Sequence, residues 1–89
     1  MGADQMNSSD VIRLVVLTPQ ATLFEGFVEK VELPGSKGRF MVLKNHAPII
    51  SSLSEGWVAY TSEGRQERIG IQKGFVRTGD NEIVVCAEV

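Results

Sequence analysis

The chain has little of several features that would define a functional class. It contains one cysteine, one histidine and 7% aromatic residues, and no apolar run near the roughly 20 residues that a membrane-spanning helix needs. One cysteine excludes an internal disulfide and fits a reducing compartment. A structural or catalytic metal site needs about three or four converging ligands, which this composition does not favour. The composition therefore argues against a disulfide scaffold, a spanning protein and a metalloenzyme.

Charge and length limit the possibilities further. The 89 residues carry a formal net charge of −2, so no basic excess indicates nucleic-acid binding. The length suits one small domain with a modest core. Because the sequence contains no spanning segment, we expect any membrane association to be indirect, through another protein.

The first ten residues differ from the rest. Met1 to Asp10 are polar, follow no apolar period, and lack the basic start and apolar stretch of a signal peptide. We expect a disordered tail or an added leader at 1–10 and a single folded domain at 11–89.

The folded part reads as a series of short strands. Runs rich in β-branched residues alternate with turn signals about every 8 to 12 residues, and no segment has the period of an amphipathic helix. The signals include Ser62-Glu63-Gly64 and Gly79-Asp80-Asn81, and we expect Gly38 to need a conformation that a side chain disfavours. This pattern predicts an all-β fold, a small antiparallel β-sandwich or flattened barrel of about eight to ten short strands. The expected strands are Val11 to Leu17, Phe27 to Leu33, Arg39 to Leu43, Ile49 to Leu53, Trp57 to Thr61, Arg65 to Gln72, Gly74 to Arg77 and Glu82 to Glu88.

The search for catalytic chemistry finds no assembled set. The segment Gly35 to Gly38 has the residue types of a phosphate-binding loop in the wrong order, and a strand follows it instead of a helix. His46 is followed by serines, but no carboxylate is placed to orient its ring, so we interpret it as a turn-shaping residue. The sequence therefore predicts no enzymatic activity and no cofactor.

Six elements in a fixed order nevertheless have a family resemblance. They are LVVLTP (14–19), FEGFV (24–28), LPGSKGRF (33–40), VLKNHAPII (42–50), LSEG (53–56) and GFV (74–76). Their order and spacing resemble the N-terminal β-sandwich of the epsilon subunit of F-type ATP synthase, the delta subunit in mitochondria. The resemblance covers about Val11 to Val89.

Several positions depart from the family pattern. Met41 and Lys44-Asn45 stand where the family commonly has Gly and Pro-Gly, although Asn45 can supply the left-handed conformation. Arg39 stands where the family frequently has an acidic residue, and with Lys37 and Lys44 it makes a local basic patch. Many members continue into a helical hairpin, whereas this sequence ends at Val89 after its last predicted strand. If the chain is complete, hairpin inhibition and ATP binding do not carry over; if it is a truncation, they lie outside the given sequence.

The resemblance implies a non-catalytic central-stalk subunit that couples the proton-driven c-ring to the gamma subunit. It implies a monomer when isolated, and a peripheral position at the cytoplasmic face of the bacterial inner membrane. The candidate c-ring interface is Ser36, Lys37, Gly38, Arg39, Phe40 and Met41. The residues expected to shape turns beside it are Gly35, Asn45, His46, Ala47 and Pro48. The candidate gamma interface is Trp57, Tyr60, Phe75 and Arg77.

Two other classes remain open. A stand-alone β-sandwich adaptor could bind a different protein, because a fold does not fix a function. A small-ligand binder would need a pocket between the sheets, for which a domain of this length has little spare volume.

Overall fold

The computed structural model describes residues 11–89, and the expectation of a tail or leader at 1–10 lies outside these residues. Within this range the chain forms nine strands and no helix. They are β1 (Ile12–Leu17), β2 (Thr22–Val28), β3 (Lys30–Gly35), β4 (Gly38–Leu43), β5 (Ile50–Leu53), β6 (Gly56–Ser62), β7 (Arg65–Ile71), β8 (Lys73–Gly79) and β9 (Glu82–Glu88). The prediction of an all-β fold of about eight to ten short strands is confirmed.

The nine strands form one curled sheet. The strand order is β2-β1-β9-β8-β5-β3-β6-β7. The remaining strand, β4, lies outside this order and pairs with β3. All pairs are antiparallel except β1 with β9, which run parallel. This parallel pair is possible because the first and last strands are joined through the rest of the chain and not by a hairpin, which would require them to run antiparallel.

Strict alternation of side chains builds the core. β1 and β9 bury every second residue and leave the intervening side chains at the outer face. Buried residues come from both halves of the curled sheet, so the inner faces share a single apolar core. Its fully buried members are Leu14, Val16, Val28, Val31, Leu33, Val42, Val58, Val76, Ile83 and Val85. Burying about ten such side chains is the main source of stability for a domain of this size.

The turns use left-handed backbone where the sequence permits it. The β6–β7 turn places Glu63 and Gly64 at φ of 54° and 78°, and the β8–β9 turn places Asp80 and Asn81 at 52° and 58°. Two consecutive positive-φ residues match the twist of tight antiparallel hairpins. Both hairpins were predicted from their Glu-Gly and Gly-Asp-Asn signals.

One predicted strand is divided in two. The sequence pattern placed Phe27 on the same strand as Val31 and Leu33, whereas the chain changes partner at Glu29. The Glu29 amide donates to the Thr61 carbonyl at 2.7 Å, outside the regular ladder. Phe27 therefore belongs to β2 and lies exposed on its outer face.

Candidate protein-binding site

The β3–β4 turn is a short, exposed tip fixed by two glycines. Gly35 pairs with Gly38, so only Ser36 and Lys37 connect the strands. Gly38 has a φ of 129°, a conformation that side chains disfavour. A Cβ at Gly35 would lie 2.7 Å from the Gly38 carbonyl oxygen and 2.8 Å from the Phe40 ring. The structure thus supports the sequence prediction that this turn depends on glycine.

Serine hydrogen bonds hold the tip against β5. The Ser52 hydroxyl donates to the Ser36 hydroxyl at 2.9 Å, and the Ser36 amide donates to the Ser52 carbonyl at 3.1 Å. A further bond joins the Ser54 amide to the Pro34 carbonyl at 2.8 Å. These contacts bridge two strands that share only one regular pair, Gly35 with Leu53. The tip is consequently tied to the body of the sheet at its base.

A cleft of about 540 Å³ separates the tip from β5. One wall carries Lys37, which forms no ion pair among residues 11–89, and the other carries Ile50. Ile50 is 77% exposed, the highest value among the large hydrophobic side chains that the structure describes. An exposed cation beside an exposed aliphatic group and several hydroxyls suits a polar protein loop better than an apolar ligand.

Arg39 does not extend from the tip with Lys37. Its Nη1 donates to the Trp57 carbonyl at 2.9 Å, and its guanidinium carbon lies 4.6 Å from the centre of the Trp57 ring. Its Nε also lies 3.8 Å from a carboxylate oxygen of Glu32. Arg39 is therefore engaged on the outer face of the sheet, and Met41 and Phe40 follow it along β4, exposed and half-buried respectively.

The segment after β4 is exposed but well anchored. Asn45 has a φ of 65°, as its replacement of a glycine predicted, and the His46 amide donates to the Leu43 carbonyl at 3.2 Å. The His46 ring bonds the adjacent Ala47 carbonyl through Nδ1 at 2.8 Å. The turn-shaping role of His46 stays a prediction. Pro48 completes the exposed run.

Thr78, which was not predicted from the sequence, holds this segment in place through hydrogen bonds. The Thr78 hydroxyl, on β8, accepts from the Ile49 amide at 3.0 Å and donates to the Ala47 carbonyl at 3.3 Å. Thr78 is the buried polar side chain of the described chain. The sequence did contain a signal for this residue. Thr78 lies two positions after Val76 on the same strand, so strand alternation places both on the inward face.

The four candidate gamma-facing residues do not form one surface. Phe75 and Arg77 lie on the outer face of β8, and Trp57 lies on β6 in the other half of the sheet. Tyr60 packs inside, with its ring centre 4.2 Å from that of Phe24. Removal from water, and secondarily the charge of Glu67, raises the pKa of the Tyr60 hydroxyl. The contact of any of them with a partner remains a prediction.

The structure also forms an apolar groove that the sequence analysis did not identify. It has a volume of about 640 Å³ at the ends of β1, β5, β8 and β9. Phe75 is joined there by Leu17 and Cys86, which lie opposite each other on β1 and β9, and by Pro19 and Leu53. The signal was present, because β1 and β9 carry apolar residues at some outward positions, Val15, Leu17, Val84 and Cys86, as well as at the inward ones.

Beside the groove, the outer face of β1 is occupied by ion pairs. Arg13 binds both Glu25 on β2 and Glu82 on β9, the latter at 3.1 Å. The hydrogen bond to Glu25, followed by that to Glu82, raises the pKa of Arg13 above its ordinary value. Among residues 11–89 there is neither a cluster of three metal-ligating side chains nor a helix long and apolar enough to cross a membrane.

Two solved ATP synthase structures contain a chain with a similar fold. A chain of the Euglena gracilis mitochondrial ATP synthase (OSCP/F1/c-ring in rotational state 1) matches with a TM-score of 0.81 at 18% identity, over 98% of this chain and 56% of that one. A chain from the central stalk and c-ring structure of the Tetrahymena thermophila enzyme gives 0.72 at 9% identity, over 86% and 63%. At these identities the likeness establishes the fold alone.

Relatives found by sequence share a higher identity with this chain than these structures do. The ATP synthase epsilon chains of Desulfitobacterium hafniense and Carboxydothermus hydrogenoformans are each 39% identical, over 84% and 89% of this chain. That of Campylobacter jejuni is 36% identical over 90%. The chain spans 57%, 59% and 63% of the length of these three relatives.

The family model described as "ATP synthase, Delta/Epsilon chain, beta-sandwich domain" matches residues 11–89, which is the whole of the described fold. The resemblance identified from the six sequence elements is thereby confirmed. The chain belongs to the delta/epsilon-chain β-sandwich family of ATP synthase.

Proposed function

We propose that this chain is a non-catalytic subunit of the central stalk of an F-type ATP synthase, where it couples rotation of the c-ring to the gamma subunit. The observation that carries the proposal is the braced β3–β4 tip, a two-residue projection fixed by glycines and tied to β5 by serine hydrogen bonds. The names of its relatives, which are ATP synthase epsilon chains, support the same reading.

A coupling part must transmit force without deforming. A continuous sheet suits this task, because each strand is hydrogen-bonded to at least one neighbour and the inner faces share one core. Close-packed protein interiors have low compressibility and transmit strain. The tip would therefore move with the body of the domain.

The ring-facing surface in this proposal comprises the tip and the cleft beside it. Lys37 supplies a cation free of ion pairs within the described chain, and Ile50 supplies an apolar contact across the cleft. Ser36 and Ser52 can give or accept hydrogen bonds at its base. This combination fits the polar loops expected at the surface of a c-ring, where carbonyl and acidic groups would meet Lys37.

The gamma-facing surface in this proposal is the apolar groove around Phe75. Leu17, Cys86 and Phe75 present a continuous apolar strip there, and Lys73 and Glu88 lie at its edge. An apolar centre with a charged rim is the usual composition of a stable protein interface. The groove and the cleft adjoin at Ser52, which lines both, so the two partners would contact neighbouring parts of one surface.

The location follows from the partners. A subunit held between the ring and gamma would be peripheral, at the cytoplasmic face of a bacterial inner membrane, with no cofactor of its own. In isolation we expect a monomer.

The test is size-exclusion chromatography of this chain with the gamma subunit of the same ATP synthase. We expect stable one-to-one co-migration, lost or weakened by Phe75→Glu at the groove. Phe27→Glu is the matched control, because it replaces an equally exposed phenylalanine outside the groove. If both folded proteins elute separately, the coupling proposal fails, and a protein-binding adaptor with another partner takes its place.

A further inference from the structure

Trp57 lies on a second outer face of the sheet, formed by β4, β3, β6 and β7, and two arginines lie over its ring. The guanidinium carbon of Arg39 is 4.6 Å from the ring centre and that of Arg68 is 5.0 Å from it. Trp57 remains 42% exposed. Guanidinium groups over an indole gain cation–π attraction, and this attraction fixes their position.

The charge on this face is not balanced. By strand register and alternation its outward side chains include Lys30, Arg39 and Arg68 against one acid, Glu32. Glu32 approaches Arg39, at 3.8 Å, whereas no carboxylate of residues 11–89 lies within ion-pair distance of Arg68. Two cations are thus held beside one ring with a single nearby anion.

The other outer face of the sheet is arranged differently. There three cations, Arg13, Lys73 and Arg77, share the face with three acids, Glu25, Glu82 and Glu88. Arg13 is bound by two of these carboxylates and Lys73 lies 4.0 Å from Glu88, while Arg77 has no ion pair among residues 11–89. The unbalanced charge around Trp57 is therefore a local property, in a chain whose net charge is −2.

Its position beside the Trp57 ring suits Arg68 to bind an anion. A guanidinium held near an aromatic ring keeps its N–H donors, and a carboxylate can accept two hydrogen bonds from them. Arg39 already donates to the Trp57 carbonyl, but the structure gives Arg68 no such bond within the described chain. Exposed Met41 and Leu43 on β4 add apolar contact area nearby.

We propose that this surface, the Trp57 face, binds an acidic segment of a protein partner, with a carboxylate of that segment paired to Arg68 beside the Trp57 ring. A protein is favoured over a lipid surface because electrostatic membrane binding takes clusters of about four to eight basic residues. The Trp57 face has fewer and includes an acid. The inference rests on these side chains alone and does not depend on the proposed ring and gamma contacts.

Fluorescence gives a direct test, because Trp57 is the one tryptophan in the chain. The probe is a soluble peptide of Glu and Leu residues with neutral ends, and its control is the same peptide with Gln in place of Glu. We expect a saturable change in Trp57 emission with the Glu peptide, weakened by added salt, and little change with the Gln peptide. Anionic phospholipid vesicles are the third arm.

Matched variants locate the binding. Arg68→Gln should weaken binding of the Glu peptide on the order of tenfold. Arg68→Lys should weaken it less, because lysine keeps the positive charge but cannot donate two parallel hydrogen bonds to one carboxylate. Arg77→Gln removes an exposed arginine from the other outer face and should leave the affinity unchanged. Amide chemical shifts of β6 and β7 provide a second readout that does not depend on the emission of Trp57.

Three results would overturn the inference. The first is equal binding of the Glu and Gln peptides, and the second is an affinity that Arg68→Gln does not alter. The third is a response to the vesicles without a response to the Glu peptide, which would assign the surface to a membrane.

Discussion

Two hydrogen bonds join Thr78 to Ile49. The Thr78 amide donates to the Ile49 carbonyl at 2.9 Å, and the Ile49 amide donates to the Thr78 hydroxyl at 3.0 Å. The same hydroxyl reaches the Ala47 carbonyl, so one buried side chain holds the irregular segment that precedes β5. This segment leads directly to Ile50 and the proposed ring-facing cleft.

We therefore expect Thr78→Val to lower the free energy of unfolding by about 1–3 kcal/mol, the usual cost of leaving partly buried polar groups without partners. Valine matches the shape of threonine, so the loss would come from the hydroxyl. Urea unfolding measures the change. Thr78→Ser is the control, since it keeps the hydroxyl and should lose less. A valine variant as stable as the parent chain would show that the two backbone groups find other partners.

Gly38 should tolerate a side chain poorly for a reason of backbone conformation alone. Its φ is 129°, yet a Cβ there would meet no atom within 4 Å. We expect Gly38→Ala to cost about 1–3 kcal/mol of unfolding free energy, and Gly38→Val at least as much. Gly70→Ala is the matched control, because Gly70 is equally open but has no unusual φ. Equal melting temperatures for the Gly38 and Gly70 variants would contradict this account.

Tyr60 should make the domain less stable at high pH. Burial raises its pKa in the folded state, so the folded chain keeps a proton that the unfolded chain releases. The resulting stabilisation is complete below the unfolded pKa of about 10 and is lost as the pH rises through the folded value. Tyr60 is the one tyrosine, so phenolate absorbance follows it directly. Tyr60→Phe should remove this part of the pH dependence. Titration of Tyr60 at or below its ordinary pKa would contradict the prediction.

Local signals in the sequence predicted the parts of the fold that depend on local chemistry. Gly38 and Asn45 were identified as positions needing unusual backbone, and both have positive φ. The hairpins at Glu63-Gly64 and Asp80-Asn81 followed from their turn residues for the same reason. The order of the other elements along the chain was predicted from the family resemblance.

Features that depend on distant residues were not predictable in this way. No glycine or proline marks the break between β2 and β3 at Glu29. Alternation alone therefore placed Phe27 on the same strand as Val31 and Leu33. Arg39 is drawn back to Trp57, a contact across 18 positions of the chain. Cys86 and Leu17 meet in the groove only because β1 pairs in parallel with β9. Each depends on strand order, which periodicity does not encode.

The central claim is that the β3–β4 tip engages the c-ring, and binding of charge-reversed variants to the purified ring–gamma assembly tests it most directly. Lys37→Glu should weaken binding, and more at low salt than at high salt, because an exposed charge is screened by ions. Arg65→Glu is the control, an exposed cation at the end of the sheet away from the tip. Weakening confined to Lys37→Glu and reduced by salt is the result we predict. Unchanged binding of Lys37→Glu at both salt concentrations would contradict the account.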